Sequence, residues 1–115
     1  MSRKIAAVSM LATLACVVLL TGCPQHKSIG EIERDPGKYS NREVTIAGNV
    51  VSSLGALGTG MYQLDDGTGR MWVVSENYGV PSKGAKVAVV GRVMDTFSFG
   101  GKSYSTVLRQ TQRRK

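Results

Sequence analysis

Two stretches of this chain alternate apolar and polar residues, and each carries a glycine in its middle. In residues 42–53, "REVTIAGNVVSS", Val44, Ile46, Gly48 and Val50 alternate with Thr45, Ala47 and Asn49. That is the period of a strand with one buried face. Residues 86–97, "KVAVVGRVMDTF", read as a second long strand with Gly91 near its centre. A glycine inside a strand permits a sharp bend or a bulge. Two such strands in one small chain fit the strong bending of a closed barrel. Closure also protects the edges of so small a sheet.

Three more strands and one helix complete the pattern. Tyr62 and Leu64 alternate with Gln63 and Asp65. "DDGTG" then turns the chain through Gly67 and Gly69, with acidic and glycine residues in the places a turn favours. In the strand that follows, Met71 and Val73 share one face, and Trp72 and Val74 the other. "SFGGKS" holds a tight turn, and residues 104–110, "YSTVLRQ", form the last strand. Residues 54–60, "LGALGTG", and 76–84, "ENYGVPSKG", read as loops. Upstream, Ser28 and Glu31 match a capping box, which predicts a short helix from Ile29 to about Arg34. Asp35-Pro36-Gly37 ends it. Ile29 and Ile32 share a face of that helix and are expected to plug one end of the core.

The N-terminus reads as an address. Arg3 and Lys4 precede an uncharged, mostly apolar run from Ile5 to Leu20. The run is short for a membrane span, which needs about 20 residues, and suits the apolar core of an export signal. It ends in Leu20-Thr21-Gly22-Cys23, which resembles the lipobox of bacterial lipoprotein precursors. The resemblance implies signal-peptidase recognition through Leu20, Thr21 and Gly22, cleavage before Cys23, and diacylglyceryl and N-acyl lipid (palmitate among them) on Cys23. Lipid transfer of this kind needs a nucleophilic thiolate. Residues 1–22 are then signal peptide, 23–27 a lipidated tether, 28–110 the barrel and 111–115 a basic tail. Pro24 stands where an Asp signals inner-membrane retention in that family. The expected location is therefore the cell envelope, at the periplasmic face of the outer membrane if the cell has two membranes. The other reading is an uncleaved anchor helix with Cys23 an ordinary cysteine, and it too puts the domain outside the cytoplasm. Cys16 lies in the leader, so the mature domain is left without a thiol for a disulfide or a metal.

The charge sits at the ends. The 115 residues hold 15 Lys and Arg against 8 Asp and Glu, a net charge of +7. Six of the basic residues are Arg3, Lys4, Arg109, Arg113, Arg114 and Lys115; without them 9 basic residues face 8 acidic ones. A nearly neutral body argues against nucleic-acid binding, which depends on neutralising phosphates.

The order V-x-I-x-G-x-V, L-D-D-G-T-G-x-M-x-V, G-x-x-V-x-V-x-G-x-V covers nearly all of residues 28–110. It resembles the OB-fold of anticodon-binding-like domains and of small exported bacterial OB domains. The implied fold is all-β, a small five-stranded Greek-key barrel preceded by a short α-helix. Many OB barrels carry a helix between the third and fourth strands, and residues 76–84 are too short and too rich in Gly and Pro for one. OB barrels bind ligands on the face of the second and third strands, between two flanking loops. Carried over, that face holds Gln63, Arg70, Trp72 and Val74, with Leu54, Leu57, Phe99 and Lys102 from the loops.

Few of these residues point to chemistry. Trp72 reads either as a stacking platform or as packing under a helix or loop. Asp65 and Asp66 read as turn residues rather than cation ligands. His26, the one histidine, lies in the tether. With no histidine or cysteine in the body, no catalytic triad can be built there, and no glycine run has phosphate-loop spacing. The expectation is a non-enzyme without metal or cofactor. The tail "LRQTQRRK" reads as a frayed, solvated end in preference to a lipid-headgroup contact. The functional expectation is a lipid-anchored binding or assembly module with a protein or envelope-glycan partner. The alternatives are an extracytoplasmic binder of single-stranded nucleic acid and an accessory subunit of an envelope enzyme.

Overall fold

The computed structural model describes residues 25–56 and 59–114. In chain order the elements are β1 (Gln25–His26), α1 (Ile29–Arg34), α2 (Pro36–Tyr39), β2 (Glu43–Ala56), β3 (Thr59–Asp65), β4 (Arg70–Glu76), β5 (Lys86–Phe99) and β6 (Lys102–Gln110). The strands hydrogen-bond in the order β1-β2-β3-β4-β6-β5, and a β2–β5 pairing closes the ring. The mostly β fold with short helices in front of the barrel is the one expected.

β2 makes the barrel possible by changing partners along its length. Glu43 to Asn49 pair with β5, and Asn49 to Ala56 pair with β3. The bend falls where Gly48 stands. A Cβ there would lie 2.6 Å from the Asp65 backbone oxygen, so the glycine lets two backbones cross closely. The β-bulge itself lies slightly further on, between Val50 and Ser52. Gly91 has the same use on β5: a Cβ would lie 2.6 Å from the Arg109 oxygen and 2.7 Å from Leu108 Cγ.

Three expectations about the first sixty residues need correction, and a fourth concerns the C-terminal tail. The stretch 54–60 is not an open loop, because Leu54, Gly55 and Ala56 continue β2 in register with Met61, Gly60 and Thr59. Of that stretch, residues 57 and 58 lie outside the described residues. The tether is also partly structured: Gln25 and His26 pair in parallel with Val44 and Thr45, and the Lys27 amide donates to the Thr45 carbonyl. A polar sequence without period still supplies backbone donors and acceptors, and the open edge of β2 takes them. Finally, Pro36 does not merely end the first helix but starts α2 at its first position, where a missing N–H is harmless.

α1 is held from two sides. As the capping box predicts, Ser28 Oγ accepts from the Glu31 amide at 3.2 Å. The other two first-turn amides find acceptors on the β3–β4 turn. The Ile29 amide donates to Asp66 Oδ2 and the Gly30 amide to Thr68 Oγ1, both at 2.9 Å. A helix start leaves these donors unpaired unless something outside the helix receives them. The DDGTG turn is therefore also the clasp that seats Ile29 and Ile32, both 0% exposed, in the barrel mouth.

The C-terminal residues close the barrel elsewhere and are not frayed. The Thr111 amide donates to the Val90 carbonyl, its hydroxyl donates to Glu43 at 2.9 Å, and its carbonyl accepts from Tyr78. Arg114 reaches back to the Gly79 carbonyl and to Gln110, with its guanidinium 5.5 Å from the Tyr62 ring centre. Beneath it the buried Tyr62 hydroxyl donates to Gln110 Oε1 at 2.7 Å. Burial pushes the Tyr62 pKa up to about 12, although the Arg114 cation opposes the shift. The folded state then holds this proton after the unfolded chain, with a tyrosine pKa of about 10, has lost it. Stability from this group is full below about pH 10 and falls as pH rises toward 12. Alkaline unfolding should accordingly be less steep in Tyr62→Phe, at a loss of about 1 kcal/mol near neutral pH for the missing hydrogen bond. Urea titrations at pH 7 and pH 11 measure both.

Candidate functional site

The core has two parts. Ile46, Val50, Tyr62, Leu64, Met71, Val73, Val89, Val93 and Leu108 fill the barrel with the helix residues. A second cluster of Met61, Val74 and Val107 lies on the other face of β3, β4 and β6. β3 therefore buries consecutive residues, Met61 and Tyr62, both at 0% exposure. Simple alternation does not produce that. The cover is the β5–β6 hairpin, which runs on past the barrel to Phe99 and Lys102. Gly100 and Gly101 both have positive φ, 60° and 80°, as the turn that matches a twisted two-stranded ribbon requires.

Register places the expected site residues. Gln63 pairs with Trp72, Met61 with Val74, and Asp65 with Arg70. Gln63, Arg70, Trp72 and Val74 thus share one face of the β3–β4 pair. Leu54 pairs with Met61 and extends the face as an exposed apolar residue at 43%. Across it, Phe97 pairs with Tyr104 and Phe99 with Lys102, and Phe97, Phe99 and Tyr104 pack against the second cluster. The Trp72 and Tyr104 rings are 5.4 Å apart at 60°, a tilted aromatic pair. Lys102 Nζ lies 5.6 Å from the Tyr104 ring centre.

Not every expected contact residue is available to a ligand. Val74 is fully buried, because the hairpin arm and Met61 cover it, and it is wall rather than contact. Trp72 is half-buried and is both packed and reachable. Arg70 is exposed but is ion-paired with Asp65 at 3.0 Å. Leu57 and the segment Leu20, Thr21, Gly22 and Cys23 lie outside the described residues. Phe97 and Tyr104 complete the face and were not expected there, and Met61 lies fully buried beneath it. The two-residue turn at Gly100-Gly101 carries the signal for the first two, since it fixes which residues of the arm stand opposite each other.

The acidic turn beside this face is committed to structure. Asp66 Oδ1 accepts from the Thr68 amide, the Thr68 hydroxyl and the Gly69 amide, while Oδ2 holds Ile29. Burial pushes the Asp66 carboxyl up, but these bonds outweigh it and leave its pKa below the usual value. Asp65 is also lowered, by the Gly67 amide first and by Arg70. Glu33 is raised, by burial first and by the neighbouring Asp66 charge. Among the described residues no group of three His, Cys, Asp or Glu side chains is placed to hold a metal ion.

No family model matches the sequence, and no curated protein matches it. Solved structures do match by shape. An OBody solved bound to hen egg-white lysozyme superposes with a TM-score of 0.51 at 17% identity, over 65% of this chain and 81% of that one. A protein assigned as an aspartyl-tRNA synthetase from Leishmania major Friedlin gives 0.59 at 17% identity, over 77% of this chain. Asparaginyl-tRNA synthetase from Pyrococcus horikoshii gives 0.52, also at 17%, over 76% of this chain. The match spans 20% and 23% of the two synthetase chains. At such identity the likeness is one of fold, and the fold is that of an OB barrel.

Proposed function

We propose that the protein is a lipid-anchored, extracytoplasmic binding module, without catalysis or cofactor, that engages a protein or envelope-glycan partner through the face between its two long hairpins. The observation that carries this is the aromatic lining of that face. Trp72, Tyr104, Phe97 and Phe99 converge there beside Gln63 and exposed Leu54. Aromatic side chains with polar neighbours suit both protein surfaces and sugar rings. The OBody, whose name records a complex with lysozyme, is a barrel of this fold presenting a surface to a protein. The lipobox-like Leu20–Cys23 supports the location.

A photo-crosslinking residue at Phe99 in the full-length, membrane-bound chain is expected to yield a discrete adduct. Trp72→Ala should lower its yield about tenfold while the far-ultraviolet spectrum stays that of the folded barrel, and Trp72→Phe, which keeps a ring against Tyr104, should retain most of the yield. Adducts with abundant lipoproteins alone would sink the proposal. The second reading is binding of single-stranded nucleic acid, favoured by the Trp72 and Tyr104 rings and Lys102. It requires oligonucleotide binding at low salt that weakens steeply as salt rises. Asp65 opposes it by engaging Arg70.

A further inference from the structure

The paired tether bears on how the domain meets a membrane. Gln25 is fixed beside Val44, and Val44 is in turn paired with Gly91. Cys23 precedes Gln25 by two residues, a span of no more than about 7 Å. A lipid on Cys23 would therefore hold this end of the barrel against the headgroups, with almost no slack.

This end gathers cations from four parts of the chain: Lys27 after β1, Lys38 in α2, Arg42 before β2 and Arg92 in β5. Lys27 Nζ and Lys38 Nζ lie 6.0 and 5.6 Å from the Tyr39 ring centre. Arg42 follows, its amide bonded to the Tyr39 carbonyl. Arg92, paired with Glu43 in the ladder, donates from Nη1 to the Asn41 carbonyl at 2.7 Å. Lys38, Arg42 and Arg92 are exposed, and Lys27 is half-buried. Asp35, Glu43 and Asp95 share the region. Glu43 accepts from the Thr111 hydroxyl and Asp95 from the Ser40 hydroxyl; these neutral donors add no charge, so the four cations outnumber the three carboxylates by one. β5 leaves the barrel at the same end, but Phe97 and Phe99 turn onto the Met61 cluster and leave the cations to solvent.

We infer that Lys27, Lys38, Arg42 and Arg92 form a membrane-facing surface that seats the barrel on anionic lipid headgroups in one orientation. Basic residues beside a lipid anchor supply the second attachment that firm, oriented binding needs. The inference rests on Cys23 carrying lipid.

Amine-reactive footprinting of the full-length protein purified from membranes tests it. The protein is compared in detergent, in phosphatidylcholine vesicles and in phosphatidylcholine vesicles containing phosphatidylglycerol. Lys27 and Lys38 should label at least about fivefold more slowly in the anionic vesicles than in detergent, and Lys83 and Lys86 should be unchanged. Labelling of Lys27 and Lys38 at the same rate in anionic vesicles as in detergent overturns the surface, and so does equal protection of Lys83 and Lys86. Protection as strong in pure phosphatidylcholine overturns the role of charge. Fatty-acid labelling of the same preparation, against Cys23→Ala, reports the anchor separately. Without label on Cys23 the anchor reading fails, and with label but no protection only the surface fails.

Discussion

Gly91→Ala should lose about 3 kcal/mol of folding stability, a large share of what a domain this size has. The added methyl would lie 2.6 Å from the Arg109 carbonyl oxygen and 2.7 Å from Leu108 Cγ. Neither can yield cheaply. Arg109 and Leu108 belong to β6, which is bonded on one side to β5 and on the other to β4 at Val73 and Val74. Moving that backbone breaks the ring. Gly37→Ala is the control, because nothing lies within 4 Å of its added Cβ. It sits in α2, where alanine favours the helix by up to about 1 kcal/mol. Urea unfolding of the two variants should move in opposite directions. Equal losses would show that Gly91 is not required for close approach.

Asp66→Ala should lose about 2 kcal/mol, more than an ordinary cap. It removes the acceptors of the turn and of the Ile29 amide together. The effect carries a pH signature. With its folded pKa below the unfolded value of about 3.9, Asp66 releases its proton more readily in the folded state. Its contribution is full above that unfolded value and is lost as pH falls through the folded one. Glu33 runs the other way: its raised pKa makes its contribution greatest at low pH, and it diminishes as pH rises. Asp66→Asn should flatten the acid limb of the stability curve without abolishing it, because Asp65 keeps its own lowered carboxyl. Chemical unfolding between pH 2.5 and 7, values chosen to bracket the ordinary carboxylate range, measures this. An unchanged acid limb would contradict the assigned hydrogen bonds.

What was legible in the sequence was local. Ser28 and Glu31 are three residues apart, so their bond and the bounds of α1 could be read directly. The two inner faces, Val44–Ile46–Val50 and Tyr62–Leu64, follow from alternation. Asp66 was legible as a turn residue because Thr68 and Gly69 are adjacent. Its second task was not, since Ile29 lies 37 positions away. The tail misled for the same reason: "TQRRK" is polar, and its partners Glu43, Val90 and Tyr62 are distant in sequence. Glycine content made 54–60 look like a loop, whereas pairing with β3 overrides weak strand propensity. At the candidate site, the shared face of Gln63 and Trp72 could be read, but the burial of Val74 depends on a hairpin arm folding across it.

The parallel pairing of Val73 with Leu108 and Val74 with Arg109 also governs the order of events in folding. That pair joins strands more than thirty positions apart and involves the last strand of the barrel. The β3–β4 hairpin can zip up early, as a local structure. The ring cannot close until β6 is present, so loop-closure entropy is met before most of the packing is gained. Folding should therefore be slow for a chain of this length, and a chain shortened before Leu108 should stay open, with the β4 edge and the Met61–Val74 face exposed together.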